Sequence, residues 1–134
     1  MYLHEKLKEL KKFIKEYERI TPSFDAYVSS LTEKAAGERY FEKIVECATD
    51  IAILVAKEHK LERPEDDAAA FETLCQHELL TRETAEAMKN AKSMRNFIVH
   101  RYGQVSDEKV YKALTKQLPR DIAKFIEEVE ELGA

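Results

Sequence analysis

The chain reads as an all-α antiparallel bundle of four to five helices, and three observations predict it. Gly and Pro occur only three times each in 134 residues, so few positions can interrupt a helix. Charged residues make up 36% of the chain, with many of the strong helix formers Ala, Leu, Glu and Lys. Apolar residues recur at helical spacing, and no stretch sustains the period of two that a strand requires. A chain of this length is expected to form one domain, residues 1–134, with a core able to hold without disulfides or metal.

The first helix is expected from Tyr2 to Arg19, where Leu3, Leu7, Leu10, Ile14 and Tyr17 form one stripe. Thr21-Pro22-Ser23 ends it, because the residue before Pro disfavours helix and a Ser can cap the next start. Phe24, Tyr27, Val28 and Leu31 then restart the pattern, and the reading leaves open whether it runs on to Gly37. From Glu38 to His59 the apolar side is broad, with Tyr40, Phe41, Ile44, Ala48, Ile51 and Val55 flanked by Val45, Ala52 and Leu54. So wide a stripe belongs to a central helix with several neighbours.

The polar run from Lys60 to Asp67 is a connection, with Asp67 a possible cap for a third helix carrying Ala70, Phe71 and Leu74. Thr81 caps a fourth, Thr84 to His100, whose inward residues are expected to be Ala87, Met88, Ala91, Met94, Phe97 and Ile98. Gly103 suits the close of that helix. Ser106 or Asp107 opens the last one, lined by Val110, Leu114, Leu118, Ile122, Phe125, Ile126 and Val129, with Pro119 a possible kink.

A net charge of −4 and a pI of about 5.7 exclude a protein that coats nucleic acid by bulk attraction. Charge is nevertheless uneven. Between Arg82 and Arg101 stand Arg82, Lys89, Lys92, Arg95 and Arg101 against Glu83 and Glu86, whereas the tail gathers Glu127, Glu128, Glu130 and Glu131. The basic strip suits a short stretch of phosphate backbone, or is simply a solvated helix face. Cys47 and Cys75 lack metal-ligand spacing and read as buried free thiols, which fits a reducing compartment. The charged N-terminus has no secretory apolar core, and the longest apolar run, Ile51 to Ala56, is too short to cross a bilayer. The expectation is a cytoplasmic protein with no membrane segment.

Gly-rich phosphate loops, paired CxxC motifs and HExxH are absent from the sequence. His4, His59 and His77 read as surface or helix-end residues, and neither a metal site nor a cofactor is expected. One segment stands apart. Ser93-Met94-Arg95-Asn96-Phe97-Ile98-Val99-His100-Arg101-Tyr102-Gly103 gathers Arg, Asn, His, Arg and Tyr at the end of an apolar helix. On a regular helix Arg95 and His100 differ by about 140°, so they do not share a face. They converge only if the helix ends near His100 or if two subunits complete one site. From spacing alone, a helix-end pair that caps carbonyls or makes surface ion pairs is the plainer reading.

RNFIVH resembles the Arg-x4–6-His motif of the HEPN superfamily, and RNFIVHRY the Arg-x4-His-x-Tyr motif of HepT-like toxins. GERYFEKIVECATDIAILVAKEH resembles that family's long central helix, RPEDDAAAFETL its following segment and VSDEKVYKAL its last helix. The likeness covers the chain from about residue 37 onward.

The resemblance implies a metal-independent endoribonuclease, the toxin of a type VII toxin–antitoxin pair, that works as a homodimer on RNA. His100 would move a proton near neutral pH and Arg95 would hold a phosphate oxygen as charge builds on it. Asn96 would support either one, and Lys92 and Arg101 are candidate RNA contacts. Tyr102 would be where a partner MntA-like nucleotidyltransferase attaches AMP and silences the toxin. Asp50 and Glu38 read equally as structural ion pairs or supporting groups, Asp50 with Arg95 or Arg101 as a possible partner. The alternative, from another class, is a non-catalytic helical nucleotide- or partner-binding module beside a nucleotidyltransferase; the intact Arg95–His100 pair favours the enzyme.

Overall fold

The computed structural model describes residues 2–100 and 106–133. The elements are α1 (Tyr2–Ile20), α2 (Phe24–Ser29), α3 (Leu31–Glu58), α4 (Ala69–Gln76), α5 (Arg82–His100), α6 (Asp107–Lys112), a π turn (Ala113–Gln117) and α7 (Leu118–Glu131). Among the described residues no strand occurs and no helix is long and apolar enough to cross a membrane. The all-α bundle expected from composition and periodicity is the one that forms.

Its axis is α3. Phe41, Ile44, Val45, Ala48, Ile51, Ala52 and Val55 are all buried, and they form one broad face spanning about 120° of the helix. α1, α2, α4, α5 and α7 pack against it. The open question at its start is settled by Ser30. That residue is extended, donates its N–H to the Ala26 carbonyl at 2.9 Å and accepts from the Glu33 N–H at 3.3 Å. One serine thus closes α2 and caps α3. Gly37 does not interrupt the helix, because packing outweighs its propensity cost of about 1 kcal/mol. At α4 the cap differs from expectation: Asp66, rather than Asp67, accepts from the Ala69 N–H, at 2.8 Å.

The kink expected at Pro119 takes the form of the π turn that precedes it. The Leu118 N–H bonds to the Ala113 carbonyl, and Pro119 has no N–H to offer. The Leu114 carbonyl is therefore left without a helical donor in either register, and Tyr17 of α1 supplies one, its hydroxyl donating at 2.5 Å. Burial lifts the Tyr17 phenol well above the ordinary tyrosine range, which keeps that proton in place. Nearby, the Tyr111 hydroxyl donates to the Pro22 carbonyl at 2.7 Å, and its ring lies against Phe24 and Tyr27. The break between α1 and α2 is thereby tied to α6.

Of the four tail acids, Glu128 turns inward and is only 7% exposed. Its carboxylate accepts from the Thr81 N–H at 2.8 Å, from the Thr81 hydroxyl at 3.0 Å and from the Thr84 hydroxyl. α7 therefore caps the start of α5, where the helix dipole also favours negative charge. Burial opposes ionisation of Glu128, but the Thr84 hydroxyl and the amide and hydroxyl of Thr81 outweigh it, leaving the carboxyl below its ordinary range. The stability it adds is accordingly present above the unfolded glutamate range and lost as pH falls through the lower folded value. Glu128→Gln should destabilise by about 1–3 kcal/mol near neutral pH. In thermal melts the gap between parent and variant should narrow as pH falls through the acid range; a gap independent of pH would exclude the ionised cap.

Candidate active site

α5 carries the motif, and it is held at both ends of its inner face. Thr81 caps it, accepting from the Thr84 N–H at 3.2 Å, and Ala85, Met88, Ala91 and Ile98 are buried against the bundle. Ser93, Asn96, Phe97 and His100 follow one another at helical spacing on the opposite, outer face. They line a shallow open cleft of about 420 Å³. Phe97, expected to point inward, is 40% exposed and belongs to this outer face beside His100. The apolar stripe had room for Ile98 or Phe97 at that turn, and Ile98 takes it.

Arg95 lies on the other side. Its side chain is 19% exposed and is directed at α3, with Nε 3.1 Å from Glu46 Oε1 and Nη2 3.8 Å from Glu42 Oε1. Nη1 donates to Asn96 Oδ1 at 3.1 Å. The Nε contact is close in distance but not aligned, so the buried Nε–H makes no hydrogen bond among the described residues. Glu46 Oε1 instead takes its aligned bond from Lys92 Nζ, at 2.9 Å. We read the Arg95–Glu46 contact as an ion pair without a hydrogen bond. One carboxylate is thus shared by two cations. The motif's Arg and His consequently face opposite sides of α5, as their offset of about 140° requires. Asn96 links the two sides, lining the His100 cleft while accepting from Arg95.

Lys92 itself is nearly buried, its side chain 10% exposed. The other described cations of the strip are also engaged. Arg82 and Lys89 both bond Glu72 of α4, at 2.6 and 2.8 Å, and both reach Glu86. Those hydrogen bonds, Arg82's first, hold the Glu72 carboxyl down to about 2. The strip is therefore an ion-pair seam joining α5 to α3 and α4. Arg101 and Tyr102 lie outside the described residues.

Asp50 pairs with Lys6 of α1 at 3.3 Å rather than with Arg95. Glu38 accepts from the Tyr27 hydroxyl at 3.0 Å, and burial raises its carboxyl above the ordinary range. His59 and His77 stand at the C-caps of α3 and α4. Cys47 and Cys75 are free thiols, and burial pushes Cys47 up to about 12, too high for a reactive thiolate. Among the described residues no three His, Cys, Asp or Glu side chains gather to hold a metal ion.

Glu42 and Glu46 are the site neighbours that the sequence reading did not single out. A signal was present: Glu38, Glu42, Glu46 and Asp50 recur every fourth residue along α3, opposite Lys89, Lys92 and Arg95 spaced by three on α5. A step of four drifts by about 40° round the helix. That is why these four acids serve three different neighbours: α2, α5 and α1.

A family model described as "Ribonuclease HepT-like" matches residues 3–129. The chain belongs to the HepT-like ribonuclease family. A candidate RNase of Archaeoglobus fulgidus is 33% identical over 88 residues, 66% of this HepT-like chain and 65% of that protein. The tRNA nuclease HepT of Aphanizomenon flos-aquae is 28% identical over 102 residues, 76% of this chain and 68% of that one. Among solved structures, a tri-AMPylated HEPN toxin of Shewanella oneidensis in complex with MNT antitoxin superposes with a TM-score of 0.88 at 21% identity, covering 96% of each chain. The fold expected from the motif resemblance is the fold observed.

Because its ammonium is already neutralised by Glu46, a Lys92→Met protein should bind RNA, the partner the motif implies, with the parent's salt dependence. A log–log salt slope smaller by about one would instead mark Lys92 as a phosphate contact.

Proposed function

We propose that this HepT-like chain is the toxin of a toxin–antitoxin pair, an endoribonuclease that acts through Arg95 and His100. The carrying observation is the exposed face of α5, where His100 and Asn96 open onto solvent in a cleft with Phe97. A proton-transferring imidazole needs that access, and a purely structural helix end does not. RNA laid along the cleft would be cut by attack of its own 2′-hydroxyl on the adjacent phosphorus. The new P–O2′ bond forms as the P–O5′ bond breaks, leaving a 2′,3′-cyclic phosphate and a free 5′-hydroxyl. One proton leaves the 2′-oxygen and one is delivered to the 5′-oxygen, both transfers suited to imidazole. Arg95 holds the phosphate as charge builds on its oxygens.

Arg95 and His100 are separated by the body of α5 within one chain, which favours a homodimer in which each copy brings its motif to a shared cleft. Two copies also supply two imidazoles, one for each proton transfer. tRNA is the first substrate to try, because the Aphanizomenon relative is a tRNA nuclease. A partner nucleotidyltransferase of the MntA type, adding AMP to Tyr102, is the proposed silencer; the Shewanella toxin carries AMP groups in its complex with MNT antitoxin. An adenylyl group two residues beyond His100 would put bulk and negative charge where the RNA phosphate must sit. Arg101, next to both, is retained as a candidate RNA contact, and the protein is placed in the cytoplasm.

The test is cleavage of tRNA and total RNA in EDTA by parent and His100→Ala protein, after intact mass has shown an unmodified Tyr102. The parent should cut and the variant should lose at least about 10²-fold in rate with its melting temperature nearly unchanged. Cleavage at parental rate by the variant removes His100 from the mechanism, and failure of both proteins leaves the non-catalytic binding module as the reading. Tyr102→Phe should cleave like the parent yet resist silencing when the partner enzyme and ATP are added. Normal neutralisation of that variant would rule out Tyr102 as the switch.

A further inference from the structure

We infer that Glu46 of α3 is the positioning residue for Arg95, a role that rests on the reading of Arg95 as the phosphate-holding group. A guanidinium has five N–H groups in a rigid plane. The Nε–Nη2 edge of Arg95 is turned toward Glu46 and Glu42, at 3.1 and 3.8 Å, and Nη1 gives one N–H to Asn96. One N–H on Nη1 and both on Nη2 then make no hydrogen bond among the described residues, and phosphate oxygens would take them. The acids of α3 therefore hold the group at the α3–α5 seam by charge while leaving it N–H groups for a ligand.

Glu46 bears most of this. Glu42 is farther from Arg95 and already bonds Arg39 at 3.1 Å. Glu46 also neutralises Lys92, so one carboxylate oxygen lies within about 3 Å of two part-buried cations. Take that carboxylate away and the two cations repel each other in a poorly solvated seam. Arg95, with the longer and less enclosed head group, is the one that would swing out. An exposed ion pair would matter little here, but Lys92 and Arg95 are 10% and 19% exposed. The misaligned Nε–H fits the same picture: Lys92 takes the straight bond and leaves Arg95 held by charge, able to turn slightly onto a substrate.

The competing view is that Glu46 merely fastens α3 to α5. A double-mutant cycle on RNA cleavage separates the two, using parent, Glu46→Gln, Arg95→Lys and the double variant, each with a thermal melt. Glu46→Gln should lower kcat by about 10²-fold, the scale of a misplaced catalytic group, with little change in KM. On the Arg95→Lys background the same substitution should cost far less, because it acts through Arg95. Should Glu46→Gln alone fold poorly, Lys92→Met/Glu46→Gln removes one charge of each sign and must still lower kcat, though by less, because Arg95 loses its carboxylate but is no longer repelled by Lys92. Parental kcat in a folded Glu46 variant, or losses that simply multiply, overturns the positioning role. Arg95→Ala separates this from the reading beneath it. If that variant cleaves at the parental rate, Arg95 is not the phosphate-holding group and the positioning role goes with it. If it is inactive while the Glu46 losses multiply, only the positioning role is lost.

Discussion

The structure depends on one constraint: a 28-residue helix, α3, is packed against by five neighbours along its length. Apolar residues fill about half of its circumference, at about 25 cal/mol for each Å² withdrawn from water. Polar side chains on such a helix must each meet a partner on whichever neighbour they face. Glu38 meets Tyr27, Glu46 meets Lys92 and Arg95, and Asp50 meets Lys6. The chemistry of the candidate site begins there. Arg95 is where it is because α3 offers a carboxylate at that level and α5 is packed closely enough to reach it.

The second constraint is the regularity of α5. Its N-terminus is fixed by Thr81 and by the Glu128 carboxylate from α7, and no rotation of a regular helix brings residues five apart onto one face. Five residues on a regular helix put one of them against α3 and the other in the outer cleft. On the proposed reading, this division gives each residue the environment its chemistry needs. A guanidinium that must be oriented benefits from enclosure and fixed acids, and an imidazole that must exchange protons benefits from solvent. On that reading one chain presents the halves of a site on different sides, and a symmetric dimer would join them.

Much of this was legible in the sequence. Period and capping residues gave every long helix, the break at Thr21-Pro22-Ser23 and the central place of α3, because apolar burial is a property of spacing. What was not legible depended on partners distant in sequence. Ser30 as a shared cap, Asp66 in place of Asp67, and the π turn relieved by Tyr17 are choices between neighbouring residues that tertiary packing makes. Phe97 is the clearest instance. It stood on the edge of the α5 stripe, and only the fit of Ile98 against the bundle sent it outward. In the site, the motif itself could be read, as could its 140° problem. The Glu46 carboxylate could not be assigned to Lys92 and Arg95 until α3 and α5 were seen side by side.

The same packing revises what the basic strip means. On the sequence, five cations against two acids read as a strip for phosphate backbone or as a solvated helix face. In the fold, Arg82, Lys89, Lys92 and Arg95 are answered by Glu72, Glu86, Glu46 and Glu42. A strip with its described cations so committed has little non-specific pull on RNA, since that pull scales with the phosphates it can neutralise. Affinity on the proposed reading must then come from a few groups in the cleft, Arg95 among them, and from whatever shape the dimer gives it. Such a site is also easy to silence. Where a broad basic surface would outbid one added phosphate, a site resting on one oriented arginine has little to set against an adenylyl group placed beside it. Economy of free positive charge would thus serve selectivity for RNA and sensitivity to modification through one arrangement of α3 and α5.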